Sequence, residues 1–434
     1  MFCGRGLAGG LRALVVVGAT GAGAGIGFVT ALLIGRTFGP QDYGLFATLM
    51  ATLALAVPLL SLGMDRLLLR YAARGAQQEV HQILGLSCRL VPVLCLALLP
   101  GLALWGSWAY GVDLLLTVLA GAWLPGMALY PIALGVFQAR HRELAVAGWS
   151  LLAPVARLAA IGAAVVLGSS FAVFLGVFAL AGLVVAGASL WVLLGYRSRL
   201  RTLRAAVAEG PQRVSGLRDR LIEGLPFAAS AALFLVYYQI DVVMLAAMIE
   251  TEAAGFYSVA LLFLAAVYLP QQAFFQRFLL ARIYRWWEQP GRVGRRLPQA
   301  LAGVAPYAVV ATVVLVAGAE YGVMLAFGDA YQAAVPVLAV LAWAVPFRLF
   351  AGTISAFLVT PDGIRSKVRA QLVVAVLNVL LNLWWIPALG ITGAALATIV
   401  SEAVLLALYA RAIRNVGVHW PALRRRPRPS ARIG

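Results

Sequence analysis

Long apolar runs recur along the whole chain, and short polar segments separate them. Many runs reach the roughly 18–20 residues that an α-helix needs to cross a bilayer. No long alternating pattern predicts strands, and a bilayer accepts only helices or closed barrels. The pattern therefore predicts an all-α polytopic membrane protein with about twelve transmembrane helices, at residues 12–34, 45–67, 86–107, 114–138, 144–167, 171–195, 224–247, 256–279, 299–326, 333–358, 369–388 and 391–413.

Every second polar segment is basic. The basic segments hold Arg70 and Arg74, Arg140 and Arg142, Arg197 to Arg220, Arg282 to Arg296, and Arg365 to Arg369, and the tail adds Arg424 to Arg432. Apart from Arg36, the other loops are nearly free of cations. Because cytoplasmic loops collect arginine and lysine, we expect a multi-pass membrane protein with both termini in the cytoplasm.

Composition supports this interpretation, since 63% of the residues are hydrophobic and only 12% are charged. Soluble domains carry about 25% charged residues. The net charge of +18 does not indicate a nucleic-acid partner, because the arginines lie in short loops between apolar runs. Membrane lipids are the expected partners of these loops.

The chain also repeats itself. Three matched pairs are separated by 211 or 212 residues, namely Gly44 and Gly255, Pro58 and Pro270, and Arg66 and Arg277. We therefore expect two six-helix repeats, with a site between them as in many transporters. The predicted division is an N-terminal half at 1–195, a basic cytoplasmic linker at 196–223, a C-terminal half at 224–414 and a basic tail at 415–434.

Ionisable residues inside spans are the best candidates for function, because burying them is unfavourable unless they are paired or face water. Arg157, Arg348 and Glu402 lie near the middle of their spans. Pro154 and Pro346 precede the two arginines closely, so we expect both arginines at helix bends. An alternative is that Arg348 and Glu402 form a buried structural pair.

Further candidates lie nearer the ends of the spans. Arg66 and Arg277 are candidate cavity residues near the cytoplasmic end, although long side chains there also extend to lipid headgroups. Asp241, like Glu402, is a candidate for protonation and coupling. Asn378 and Asn382, one turn apart, are expected to form hydrogen bonds between helices.

No enzyme is indicated. The three histidines and three cysteines form no catalytic or metal-ligand spacing, so we expect neither a metal nor a cofactor. The loops predicted to be periplasmic are too short for a catalytic domain.

Several segments resemble a known family. GRTFGPQDYGLFATL with SLGMDRLLLRYAAR, IDVVMLAAMIETEAAGFYSVALLF, FGDAYQAAVPVLAVLAWAVPFRLF and NVLLNLWWIPALGITGAALATIVSE resemble bacterial polysaccharide and O-antigen flippases. This family belongs to the superfamily that holds multidrug and toxin extrusion (MATE) transporters and the peptidoglycan lipid flippase. The resemblance implies a MATE-like V-shaped bundle of two halves, alternating access and a lipid-linked oligosaccharide substrate. Arg157 lies where these flippases often carry an arginine.

We therefore expect a flippase that moves polyprenyl-diphosphate-linked oligosaccharides across the inner membrane for surface polysaccharide synthesis. Guanidinium groups suit the diphosphate because they form forked hydrogen bonds to its oxygens. A polysaccharide polymerase and glycosyltransferases are the protein partners that this function implies. The alternatives are a cation-coupled multidrug exporter of the same superfamily and a membrane-embedded polysaccharide polymerase or ligase.

Overall fold

The computed structural model describes residues 3–168, 170–206, 217–274, 279–287, 289 and 291–415. Within these ranges the protein is helical, with no strand. The helices are α1 (Cys3–Ser61), α2 (Met64–Ala73), α3 (Gln77–Tyr110), α4 (Leu114–Gly121), α5 (Leu124–Ala139), α6 (Glu143–Val166), α7 (Phe171–Ala206), α8 (Leu217–Met248), α9 (Thr251–Phe274), α10 (Leu280–Trp287), α11 (Arg292–Phe327), α12 (Ala334–Leu341), α13 (Ala344–Phe357), α14 (Pro361–Leu389) and α15 (Ile391–Asn415), with a 3-10 turn at Asp329–Tyr331.

The predicted spans correspond closely to these helices. In the described ranges, ten helices are long and apolar enough to cross a membrane, or eleven if α12 and α13, bent by 43°, form one span. Helix α1 is kinked at Gly39, where φ is 80°, and Pro40 follows. Its two arms match the first two predicted spans, so counting them separately brings the number to the predicted twelve.

Exposed apolar side chains cover the outside of the bundle. Trp191 is 77% exposed, Trp108 is 82% exposed and Val166 is 85% exposed. A water-soluble protein rarely exposes such extensive apolar surface. These side chains therefore form a lipid-facing surface, which agrees with the predicted class of all-α polytopic membrane protein.

The bundle packs around three main hydrophobic clusters. One contains only buried residues between 53 and 200, and another only buried residues between 237 and 413. The largest joins buried side chains from both parts of the chain. The boundaries of the two halves stay a prediction. Helix α7 extends into the predicted linker 196–223 as far as Ala206, and α8 begins within that linker at Leu217.

Two short amphipathic helices depart from the predicted pattern. The second span was expected to reach residue 67, but α1 ends at Ser61 and α2 begins at Met64. Leu62 and Gly63 both have positive φ, which breaks the helix. Helix α10 is the other short helix and comes after the eighth span.

The expected bends at the two arginines differ. The bend between α12 and α13 lies just before Pro346 and Arg348, as predicted. Helix α6, in contrast, is one continuous element through Pro154 and Arg157.

Candidate functional site

Two cavities meet at Arg157. A central cavity of about 350 Å³ is lined by α1, α8 and α9, with Arg157 of α6 in its wall. A second cavity of about 440 Å³, here called the N-terminal cavity, lies mainly between α1, α5 and α6. No acidic residue lines either cavity among the described residues. Arg157 is therefore the cation shared by both spaces.

Packing holds the Arg157 guanidinium in place. It lies 4.9 Å from the centroid of the Trp123 ring. Trp123 is fully buried and stacks on Phe178 at 4.5 Å. The Nε of Arg157 is buried without a hydrogen-bond partner, and no carboxylate of the described residues lies within 4 Å of this side chain. The charge is thus fixed but not neutralised, which suits it to an anionic ligand.

Arg348, in contrast, is neutralised. Its Nη1 lies 2.6 Å from Oε1 of Glu402 and donates a hydrogen bond of 2.7 Å to the hydroxyl oxygen of Tyr237. The Glu402 side chain is buried, at 6% exposed, and the Arg348 side chain is nearly so, at 11%. The predicted alternative of a buried Arg348–Glu402 pair is therefore the arrangement found.

An aromatic cage surrounds this pair. The rings of Phe234, Tyr237, Tyr238 and Tyr268 have centroids 5.2–5.7 Å from the Arg348 guanidinium carbon. Tyr238 also lines the central cavity. Arg348 therefore contacts the cavity wall through Tyr238, whereas Arg157 itself forms part of that wall.

Asp241 is the centre of a second polar cluster. It is 1% exposed and accepts hydrogen bonds from the Tyr257 hydroxyl at 2.8 Å, the Thr398 hydroxyl at 2.6 Å and the Asn382 amide at 2.5 Å. Asn382 also donates to Oδ1 of Asn378 at 3.1 Å. Oδ1 of Asn382 and Nδ2 of Asn378 are buried without partners, so the cluster has unused hydrogen-bonding capacity.

The two polar clusters adjoin. On α8, Asp241 lies one turn after Tyr237, and on α15 Glu402 lies one turn after Thr398. Residues four apart lie on the same face of a helix. The coupling candidates Asp241 and Glu402 therefore belong to neighbouring networks between α8 and α15.

The remaining predicted site residues lie elsewhere. Arg66 lies on α2 rather than in the second span, because Leu62 and Gly63 end α1 first. Its side chain is 67% exposed, its Nε lies 3.4 Å from the Asp65 carboxylate, and it lines neither cavity. Arg277 lies outside the described residues, as do the basic tail from residue 416 and residues 207–216 of the linker.

At both ends of the helix bundle, backbone contacts join the first two predicted spans to the later part of the chain. At the end predicted to be periplasmic, a Cβ on Gly44 would lie 1.8 Å from the Thr251 carbonyl oxygen and 2.7 Å from the Gly255 nitrogen. At the other end, a Cβ on Gly224 would lie 2.2 Å from the Leu62 carbonyl oxygen. Only glycine permits such close approach. The repeat-related Gly44 and Gly255 thus pack directly against each other.

Sequence reasoning missed most of the neutral partners. Trp123, Tyr238, Tyr257 and Thr398 carry no charge, so a search for ionisable residues within spans passed over them. The adjacent tyrosines at 237 and 238 in an apolar span were the available signal, since buried hydroxyls need partners. Within the described ranges, no group of three or more His, Cys, Asp and Glu side chains is placed to hold a metal ion.

Comparisons with known proteins agree with this architecture. No curated protein sequence matches the chain. A solved structure of "Lipid II flippase MurJ, inward closed conformation" is similar, with a TM-score of 0.68, 12% identity, and coverage of 92% of this chain and 87% of that chain.

Two structures of a MATE-family transporter of the MOP superfamily are also similar. The inward-facing conformation gives a TM-score of 0.63, 14% identity, and coverage of 93% of this chain and 98% of that chain. The outward-facing conformation gives 0.63, 12% identity, and coverage of 93% and 95%. At these identities the likeness establishes the fold.

The profile of the family described as "Polysaccharide biosynthesis protein" matches residues 12–270, more than half of the chain. The fold is that of MurJ-like and MATE-like flippases and transporters. The chain therefore belongs to the polysaccharide biosynthesis protein family, as the sequence resemblance predicted.

Proposed function

We propose that this protein is a flippase that carries polyprenyl-diphosphate-linked oligosaccharide units across the bacterial inner membrane by alternating access. The single observation that carries the proposal is the un-neutralised Arg157 at the junction of two cavities inside the bundle. A diphosphate cannot cross hydrocarbon unaided, and a fixed cation in a cavity lowers that barrier. The family match and the flippase among the similar structures support the choice of substrate class.

In this mechanism Arg157 binds the diphosphate. Its position over Trp123 orients the guanidinium toward the two cavities. Arg348 was also a candidate for this clamp, but its pairing with Glu402 satisfies its charge. We therefore propose that Arg348 supports the cavity wall through Tyr238 and that Arg157 is the main diphosphate ligand.

Asp241 and Glu402 are the proposed coupling groups. Protonation of Asp241 would convert an acceptor of three hydrogen bonds into a donor, and the cluster around it would have to rearrange. Glu402 is less free to change, because it is held by Arg348. We therefore assign the primary proton-linked step to Asp241.

The proposed setting follows from the loop charges. We propose that both termini lie in the cytoplasm, and that a polysaccharide polymerase and glycosyltransferases are the protein partners. A transporter needs no catalytic chemistry of its own, so we propose that the protein is not an enzyme.

A multidrug exporter of the same superfamily is the second candidate, because MATE transporters are among the similar structures. Deletion of the gene separates the two functions. Loss of a flippase should leave completed lipid-linked units on the cytoplasmic leaflet and stop surface polymer synthesis. Normal surface polymer with sensitivity to drugs as the only phenotype would favour the exporter.

Complementation tests the role of Arg157 directly. Arg157→Gln should reduce export about 10–100-fold, the loss expected for one charge-assisted hydrogen bond. Arg157→Lys should restore part of the activity, because lysine keeps the charge and loses the fork. Arg411→Gln, which removes an exposed arginine of α15, is the matched control and should complement fully. Full export by Arg157→Gln at normal membrane abundance would contradict the proposal.

A further inference from the structure

A larger cavity lies away from the site described above. Its volume is about 790 Å³, and it is lined by residues of α9, α10 and α11 together with Leu279 and Gln289. It shares no lining residue with the central and N-terminal cavities. The diphosphate mechanism therefore does not account for it.

One end of this cavity is strongly cationic. Arg282, Arg292 and Arg296 line it, and no acidic residue lines it among the described residues. Arg292 donates a hydrogen bond to the side-chain oxygen of Gln289, and Arg296 donates one of 2.9 Å to that of Gln299. Because these acceptors are neutral, the hydrogen bonds orient the guanidinium groups but leave their charge available to an anion.

The rest of the cavity is largely apolar. Beyond Arg296, the lining face of α11 continues through Gly303 and Val304 to Tyr307. The eleven helical steps from Arg296 to Tyr307 cover about 16 Å of helix. Tyr307 donates its hydroxyl hydrogen to the Val267 carbonyl oxygen at 2.6 Å and joins α11 to α9 at this depth. A ligand that fits both parts has an anionic head and a hydrocarbon chain.

Helix α10 forms the wall beside the cationic end. Trp287 donates its indole N–H to the Phe357 carbonyl oxygen at 2.9 Å, and Trp286 stacks on the Phe357 ring at 6.1 Å, which fixes α10 to α13. The Arg296 guanidinium lies 5.6 Å from the Trp286 ring centroid. Tryptophan and arginine together are typical of the level of lipid headgroups.

We infer that this cavity binds one anionic membrane lipid that bears a phosphate. Arg292 and Arg296 hold the phosphate, Arg282 adds positive charge beside it, and the hydrocarbon chain follows α11 past Gly303 and Val304. The phosphate belongs either to an anionic phospholipid or to a polyprenyl phosphate carrier, which share this chemistry. The inference is independent of the role proposed for Arg157.

The test is native mass spectrometry of the full chain, purified, delipidated and titrated separately with phosphatidylglycerol, undecaprenyl phosphate and phosphatidylcholine. Arg292→Gln with Arg296→Gln should weaken binding of the anionic lipid at least about tenfold, because each charge-assisted bond contributes on that scale. Arg295→Gln with Arg365→Gln removes the same charge from exposed positions outside the cavity and should leave binding unchanged. Equal weakening in both double variants would show diffuse attraction and overturn the site.

A second variant tests the apolar part without changing charge. A side chain at Gly303 enters open space, since no heavy atom lies within 4 Å of its Cβ position, so Gly303→Phe should fold and block the hydrocarbon chain. Gly318→Phe is the matched control on the same helix, with equally open surroundings outside the cavity. Unchanged lipid binding in Gly303→Phe would overturn the inference, as would failure of both anionic lipids to bind the unmodified chain. Preference for phosphatidylglycerol or for undecaprenyl phosphate identifies the source of the phosphate.

Discussion

Gly44→Ala is the sharpest perturbation that the structure offers. The added Cβ would lie 1.8 Å from the Thr251 carbonyl oxygen and 2.7 Å from the Gly255 nitrogen. Carbon and oxygen atoms approach to about 3.3 Å, so α1 and α9 would have to separate by about 1.5 Å. Both opposing atoms belong to the backbone, so no side-chain rotation can relieve the overlap.

The free-energy effect follows from this geometry. Overpacking of this kind costs about 1–3 kcal/mol. In the proposed alternating-access cycle, the penalty applies only when the end predicted to be periplasmic is closed, because the helices there separate in the opposite state. The ratio of open to closed molecules should therefore rise about 5–150-fold.

Thiol labelling measures this change. Ser258 lines the central cavity and is 9% exposed. In a chain without its native cysteines, Ser258→Cys therefore reports opening of the central cavity toward the periplasm. A membrane-impermeant reagent added from the periplasmic side should react at least about fivefold faster in the Gly44→Ala background. Gly255→Ala should act in the same direction, because its Cβ would lie 2.4 Å from the Pro40 carbonyl oxygen.

Gly25→Ala is the control for this experiment. It lies on the same helix, and no heavy atom lies within 4 Å of its Cβ position. It should leave the labelling rate of Ser258→Cys unchanged. Equal rates in the Gly44→Ala and Gly25→Ala backgrounds, at equal protein abundance, would refute the view that the glycine contact stabilises closure.

Three further predictions concern the polar clusters and the topology. Arg348→Gln should lower the free energy of unfolding by about 3–5 kcal/mol, because it leaves Glu402 buried and unpaired. In a detergent-melting assay, adding Glu402→Gln should recover much of this loss. No recovery would argue against the pair. Asp241→Asn should leave membrane abundance near normal and abolish the dependence of export on the proton gradient, whereas retained dependence would exclude Asp241 as the coupling group. Reporter fusions after Leu114 and Tyr196 should report the periplasm and the cytoplasm respectively, and a periplasmic signal after Tyr196 would reverse the predicted orientation.

The spans could be predicted because membrane burial acts on each helix separately. An apolar run of sufficient length identifies a span whatever its neighbours are. Helices α2 and α10 escaped prediction because their polar and apolar residues average to nearly neutral hydropathy. The end of α1 also depended on a backbone feature, the positive φ of Leu62 and Gly63, that hydropathy does not detect.

The site was only partly predictable, because its contacts join residues far apart in the chain. Counting residues along the predicted spans placed Arg348 and Glu402 at the same depth in the membrane and suggested that they pair, as they do in the structure. Depth alone could not show that Asn382 faces Asp241, since that contact depends on the rotation of α14 relative to α8. The un-neutralised state of Arg157 likewise depends on its neighbours in three dimensions.

A chain of contacts through α15 and α13 leads from the proposed coupling group Asp241 to the cavity. Asp241 contacts Thr398, which lies one turn before Glu402, and Glu402 binds Arg348, whose guanidinium contacts Tyr238 in the cavity wall. Contiguity alone does not establish energetic coupling. A double-mutant cycle supplies that evidence, because independent sites give additive effects and coupled sites do not. Tyr238→Leu removes the ring that contacts Arg348. If Asp241→Asn and Tyr238→Leu have additive effects on the affinity for substrate, the route carries no coupling; a non-additive free energy above about 0.5 kcal/mol would support it.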